Sequence, residues 1–264
     1  FRTETDLDSY LKENDIPGLK DINTRKLTKM LRDNGTMRGK LVSDITDMDK
    51  ILAEIKEYTF QNVVGEVSNK HIREFGEGKT KIALVDFGCK QNIIRSLTER
   101  DCTVTAFPQD ISAETILEKD FDGIVLSNGP GDPENCKIAI ENIKKLYNSN
   151  VPIMGICLGH QLMALATGAS TAKLKYGHRG PNHPVKEIKT GKICITSQNH
   201  GYYVKEESIN PKIAEVSYIN VNDGTVEGLD YKNKKIFTVQ FHPEACPGPQ
   251  DCAYLFDRFL NMCR

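Results

Sequence analysis

The segment Gly155-Ile156-Cys157-Leu158-Gly159-His160-Gln161 places a thiol between two glycines, directly after the apolar run Val151–Ile156. A buried strand that ends at a nucleophile, with a helix leaving at once, is the G-x-nucleophile-x-G elbow, here with Cys where hydrolases place Ser. The glycines answer a steric need, because the turn is sharp and neighbouring backbone passes close by. At such an elbow the sulfur projects above the carboxyl end of the sheet, where open α/β folds bind ligands. It also sits at a helix N-terminus, whose unpaired N–H groups favour a thiolate. The chemistry implied is nucleophilic attack, and it requires a base. A motif this short also occurs around a buried structural Cys at an ordinary strand-to-helix turn, so its companions decide the reading.

One companion is Phe241-His242-Pro243-Glu244, at the end of a strand expected over Ile236–Phe241. Residues two apart on a strand project to the same side, so Glu244 can hold the His242 imidazole with its other nitrogen toward the thiol. Pro243 cannot donate to a sheet ladder, which places this stretch at a strand end or edge. Taken alone, His242 reads equally as a satisfied histidine at a strand end. His160 is nearer Cys157 in sequence but has no carboxylate at suitable spacing, and it is expected to be structural. His178, His183 and His200 fall in strand or loop sequence.

The other companion is Ser127-Asn128-Gly129-Pro130-Gly131-Asp132-Pro133, following a strand expected over Gly123–Leu126. A Gly-rich turn between strand and helix often cradles phosphate, but this one lacks the dinucleotide fingerprint and the P-loop lysine. The N–H of Gly131, with that of Leu158, is instead suited to an oxyanion, a contribution of ~3 kcal/mol to a barrier. A plain tight turn fits the same residue types. Location at the carboxyl edge that also carries Cys157 favours the oxyanion reading.

The elements that must position these groups follow from hydrophobic patterning. From Lys81 onward strands and helices alternate: strands Ile82–Phe87, Thr103–Phe107, Gly123–Leu126 and Pro152–Ile156, with helices Asn92–Leu97, Ser112–Lys119, Glu134–Tyr147 and Leu158–Ala166 between and after them. Short connections between alternating strands and helices mean parallel βαβ units in a doubly wound, mostly parallel α/β sheet. Mostly strands follow residue 182 (Pro184–Ile188, Ile193–Ser197, Glu215–Asn220, Thr225–Leu229 and Ile236–Phe241), before a closing helix Cys252–Met262. The front of the chain differs. Asn23-Thr24 caps a helix with Leu27, Met30 and Leu31 on one stripe and Gly35 as its stop, and a second helix begins near Thr46. Residues 59–80 show no lasting period and read as a linker. The division expected is therefore 1–78, part of a smaller N-terminal domain plus linker, and 79–264.

Composition sets the outer limits. The chain has 264 residues, 39% apolar and 27% charged, with a formal net charge of −1. Near-neutral charge argues against nucleic acid or a membrane surface as partner, and no apolar run is long enough to span a bilayer. The 8 cysteines form no CxxC pair and no short metal-ligand spacing, so no metal site is expected. Reduced thiols in a cytoplasmic protein are the plain reading. Phe1 leads directly into helix-like sequence, which reads as a cut through a longer protein.

Together, the S-N-G-P-G-D-P loop, the G-I-C-L-G-H-Q elbow and the late H-P-E, in this chain order, resemble the class I (triad-type) glutamine amidotransferases, a flavodoxin-like fold. Gly177–Val185, Ser197–Tyr202, His242–Pro249 and Asp21–Leu27 resemble in particular the small-subunit branch that serves carbamoyl-phosphate synthetases. The resemblance implies a triad of Cys157, His242 and Glu244. It implies glutamine contacts from Gly129, Gly131, Leu158, Gln161, Asn199, Gly201 and Tyr202, where the family usually has Phe at the last position. It also implies L-glutamine as substrate and, as partner, a large synthetase subunit. No cofactor is expected in this chain, ATP and magnesium being expected on the large subunit. Two alternatives stand beside it: a glutaminase serving another synthase, such as those making anthranilate or GMP, and a non-catalytic scaffold subunit.

Overall fold

A computed structural model describes residues 5–59 and 62–263. The chain forms two compact units, one up to Glu57 and one from Tyr58 onward.

The first unit is helical: α1 (Leu7–Glu13), α2 (Thr24–Asn34) and α3 (Met48–Glu57). The ends of α2 are those the sequence marks. The Asn23 side chain accepts from Lys26 N at 2.9 Å, and Gly35 takes a φ of 86° just beyond the last turn, the left-handed conformation that glycine adopts without a Cβ penalty. Helix α3 starts at Met48, with Asp47 Oδ1 accepting from Lys50 N.

The second unit opens with α4 (Val63–Val67) and β1 (Arg73–Phe75), within the stretch whose sequence shows no period. Strand β1 pairs antiparallel with the edge of the sheet over only three residues, too short a run for an alternating pattern to register. There follow β2 (Thr80–Asp86), α5 (Gln91–Thr98), β3 (Cys102–Pro108), α6 (Ala113–Leu117), β4 (Gly123–Leu126), α7 (Lys137–Tyr147), β5 (Ile153–Ile156) and α8 (Leu158–Ala166). The chain then makes β6 (Thr171–Glu187), β7 (Ile193–Val204), β8 (Ala214–Asn220), β9 (Val226–Tyr231), β10 (Ile236–Val239) and α9 (Tyr254–Met262).

Among the described residues the strands form one sheet in the order β1-β3-β2-β4-β5-β10-β9-β8-β6-β7. The centre, β3-β2-β4-β5-β10, is parallel, and the flanks pair antiparallel. Side chains alternate across β2, which sends Ala83 and Val85 to one apolar layer and Ile82 and Leu84 to the other. Helices α6, α7 and α8 cover the first layer, and α5 and α9 the second. This is the doubly wound arrangement expected of near-continuous apolar strands that are buried on both faces.

Strands β6 and β7 run well beyond the segments their apolar residues indicate. Residues 171–183 carry Gly177, Gly180 and Pro181 among polar side chains. The ladder there has register shifts between Lys173 and His178 and between Gly180 and His183. Such a bulged ribbon lacks the period-2 pattern by which a strand is recognised.

All four strand ends relevant to chemistry lie at the carboxyl edge of the parallel centre: β2 leads to Phe87, β4 to Ser127, β5 to Cys157 and β10 to His242. The order reverses about β2, whose neighbours are β3 and β4, and crevices outside such reversals are where open α/β sheets bind ligands.

Helix α9 closes the second layer with Phe256 and Phe259, both fully buried. Phe256→Ala is expected to cost about 3–5 kcal/mol, measured as a fall in urea-unfolding free energy. A loss below about 1 kcal/mol would mean that α9 is not integral to this layer.

Candidate active site

The four residues of β5 are fully enclosed, and the chain then turns at Cys157 with φ 52° and ψ −98°. This backbone conformation is costly for a residue with a side chain. Two hydrogen bonds hold it. Cys157 N donates to Val239 O on β10 at 2.8 Å, and Gly159 N donates to Ser127 O at 3.0 Å. The flanking glycines are explained by crowding. A Cβ on residue 155 would lie 2.7 Å from Thr238 Cγ2, and one on residue 159 would collide with the carbonyl oxygen of Leu126. The sulfur is buried within the second apolar layer.

His242 reaches the same place from β10. Its N–H donates to Ser197 O at 3.0 Å, and its Nδ1 lies 2.6 Å from Glu244 Oε1. Nε2 is buried with no hydrogen-bond partner among the described residues. Burial by itself disfavours the imidazolium. The Cys157 sulfur and the Glu244 carboxylate outweigh it and raise His242 to about 10. Burial likewise pushes Glu244 up, but His242 and then Lys90 bring it below its ordinary value. Lys90 Nζ lies 3.7 Å from Glu244 Oε1, and Asn92 Nδ2 donates to the Glu244 main-chain oxygen. Both shifts describe an imidazolium held against a carboxylate, with the nitrogen opposite left for the thiol.

The loop after β4 is laced to the loop after β2. Ser127 Oγ accepts from Phe87 N at 2.9 Å, Asn128 Oδ1 accepts from Lys90 N at 2.9 Å, and Asn128 Nδ2 donates to Gly88 O at 3.2 Å. Gly129 packs against Phe87 and Leu158, and Gly131 has a φ of 92°. Leu158 opens α8, so its N–H belongs to the first turn, whose donors have no intrahelical acceptor.

Gln161, one turn along α8, is buried and donates both hydrogens of Nε2, to Tyr202 O and to Gln240 Oε1, each at 2.8 Å. Asn199, Gly201 and Tyr202 lie on β7 rather than in a free loop. Tyr202 O also accepts from His200 Nδ1 at 2.8 Å. Burial and the facing Asp132 raise the Tyr202 phenol, which relates β7 to the loop after β4. The structure thus gathers Cys157, His242, Glu244, Gln161 and Tyr202, while Asn199 stands on the exposed side of β7.

Lys90, Asn92 and Gln240 are missed by motif reasoning, and Asn128, inside the Ser127–Pro133 motif, is given no role by it. Gln240 had a signal, since it precedes His242 by two residues on the same strand line. Lys90 and Asn92 had none, because their partner Glu244 lies more than 150 positions away in sequence.

His160 is buried in α8 with Nδ1 2.8 Å from Thr238 Oγ1, and burial lowers it to about 3, so it is neutral. Among the described residues, His178, His200 and Glu227 have ligand atoms within 4.8 Å of one another. Asn220 Nδ2 already stands between two of them, 3.2 Å from Glu227 Oε1 and 3.5 Å from His178 Nδ1. The Glu227 Oε1 atom is thus already engaged by Asn220, while Glu227 Oε2 is buried with no hydrogen-bond partner among the described residues.

A family model described as glutamine amidotransferase class-I matches residues 83–262. A model of the carbamoyl-phosphate synthase small chain, CPSase domain, matches residues 1–41. The chain is 51% identical over 262 residues to the carbamoyl phosphate synthase small chain of Clostridium perfringens, covering 99% of this chain and 74% of that protein. It is 52% identical to the corresponding protein of Bacillus anthracis, covering 99% and 72%. A solved structure from Thermoplasma acidophilum, provisionally assigned to GMP synthase, superposes with a TM-score of 0.61 at 26% identity, over 70% of this chain and 94% of that one.

The ion pair predicts a pH window for stability. The raised His242 contributes stabilisation that is complete below its ordinary 6.5 and is lost as pH climbs through about 10. The lowered Glu244 contributes stabilisation that is present above its ordinary 4.5 and is lost on acidification. Wild type is therefore expected to exceed Glu244→Gln in urea-unfolding free energy by about 2 kcal/mol near pH ~5.5, the gap narrowing above pH ~9. A gap that stays constant across that range would assign the difference to packing.

Proposed function

This chain belongs to the class I glutamine amidotransferases, within the branch of carbamoyl-phosphate synthase small chains, and we propose that Cys157, His242 and Glu244 are the triad with which it hydrolyses glutamine. The observation that carries this reading is the buried His242–Glu244 pair at 2.6 Å, beside a buried cysteine on a strained elbow.

The proposed steps are these. The Cys157 thiolate attacks the side-chain amide carbon of L-glutamine, and the developing oxyanion takes the N–H groups of Gly131 and Leu158. The His242 imidazolium, held by Glu244, gives its proton to the departing nitrogen, which leaves as ammonia. A water then attacks the thioester, His242 takes its proton, and the sulfur is expelled as thiolate, releasing glutamate and restoring the thiolate–imidazolium pair. Gln161 Oε1 and the backbone of residues 199–202 hold the amino-acid end of the substrate, with Gly129 lining the amide.

The small-chain character of its relatives implies a larger partner subunit. In this reading that subunit holds ATP and magnesium, receives the ammonia and makes carbamoyl phosphate for arginine and pyrimidine biosynthesis. The division at residues 78 and 79 is part of the same proposal. A cytoplasmic setting fits a chain of near-neutral charge, in which no helix of the described residues is long and apolar enough to cross a membrane. Identity above 50% over 99% of the chain to a carbamoyl phosphate synthase small chain outweighs the 26% likeness to the Thermoplasma structure in choosing the synthase. A scaffold role leaves the site's construction without a purpose.

An electrophilic glutamine analogue is expected to label Cys157 alone, with glutamine blocking the adduct. With the large chain present, Cys157→Ser is expected to lose glutamine-dependent carbamoyl phosphate synthesis by about 10³-fold or more, while synthesis from free ammonia continues. Labelling spread over other cysteines, or a Ser variant that still uses glutamine, would overturn the assignment.

A further inference from the structure

Gln240 lies two residues before His242, on the continuation of β10, and is fully buried. Its N–H donates to Glu227 O at 2.8 Å, and the carbonyl of its neighbour Val239 accepts from Cys157 N at 2.8 Å. The backbone that carries Gln240 is thus registered directly against the elbow. Its Nε2 stands 3.6 Å from Cys157 Sγ, and its Oε1 accepts from Gln161 Nε2 at 2.8 Å.

The orientation of both amides is forced by one carbonyl. Tyr202 O can only accept, so Gln161 must turn its NH2 toward it. The second hydrogen of that NH2 requires the oxygen of Gln240, which leaves the Gln240 NH2 facing the sulfur. A carboxamide N–H donates and has no proton to release near neutrality, so the contact is stronger with a thiolate than with a thiol.

We propose that Gln240 is a positioning residue for Cys157: its N–H holds the sulfur in place and favours the thiolate. The proposal rests on reading Cys157 as the nucleophile. The charged and titratable groups around the sulfur are His242, which faces it, with Glu244 and then Lys90 behind the imidazole; all three persist when Gln240 is replaced. The line Tyr202–Gln161–Gln240–Cys157 also joins the strand proposed to hold glutamine's amino-acid end to the attacking atom.

The test uses the full chain assembled with its large chain. Gln240→Met removes the donor at similar volume, and Gln240→Glu keeps the shape while facing the sulfur with an acceptor. Iodoacetamide alkylation of Cys157, mapped by mass spectrometry, is expected to reach half its maximal rate about one pH unit higher in the Met variant and higher still in the Glu variant. The kcat for glutamine hydrolysis is expected to fall about tenfold or more, with KM changed less than about threefold. A wild-type pH midpoint and kcat in the variants overturns the proposal. So does a lowered melting temperature with an unmoved pH midpoint, which would assign Gln240 to packing. Because Glu is isosteric with Gln, it carries the test if the Met variant does not fold. Glutamine protection of wild-type Cys157, measured alongside, separates the two ideas: without it the nucleophile assignment itself fails, and this inference with it.

Discussion

A cysteine held at φ 52° between a buried strand and a helix is the constraint around which this site is organised. Such a backbone costs about 1–3 kcal/mol and persists only where the surroundings over-determine it. Here they do so from three directions. Strand β10 takes the Cys157 N–H, the loop after β4 takes the Gly159 N–H, and the collision that any Cβ at residue 159 would make with Leu126 shows how closely the helix is seated on the end of β4. The turn that presents the sulfur therefore also fixes its distance from the Ser127–Pro133 loop, the proposed oxyanion site. That coupling gives the glycines and the Ser127–Pro133 loop a common cause.

Electrostatics adds a second layer. Burying a histidine and a glutamate is costly, and the cost is offset only when they pair closely and their remaining contacts are met. The 2.6 Å pair meets the first condition, and Lys90 with Asn92 supports the glutamate from α5 and the residue preceding it. Nε2 of His242 and Oε2 of Glu244 have no hydrogen-bond partner among the described residues. Buried unpartnered atoms are destabilising in a resting fold, and in the proposed triad the imidazole nitrogen is the one that must stay open to thiol, leaving group and water in turn.

Beneath the substrate side runs a polar interior unusual for a sheet. Thr196, Gln198 and His200 project inward from β7, where apolar residues would normally lie, and meet Asn220 and Glu227. Thr196, Gln198, His200 and Asn220 each make a side-chain hydrogen bond, Glu227 is met through Oε1, and the line ends at Tyr202 O, where His200 and Gln161 converge.

The sequence by itself determined what local physics controls. It marked α2 between Asn23 and Gly35, the apolar strands of the parallel centre, and the elbow at Cys157. The pairing of His242 with Glu244 was also legible from their spacing, but the structure achieves it in a turn beyond β10, where Ala245 N donates to His242 O at 3.2 Å, rather than by strand pleating. Tertiary structure decided the rest. The reach of β6 through Gly177 and Pro181, and the place of β1 on the sheet edge, depend on ladder partners, because a bulged or three-residue strand has no period of its own. Which amide faces the sulfur depended on a carbonyl at Tyr202, and which cation supports Glu244 depended on Lys90, far away in the chain. Hydrogen bonds and ion pairs act over about 3–4 Å in space whatever the separation in sequence, so only the folded sheet, by bringing four strand ends to one edge, could select those partners.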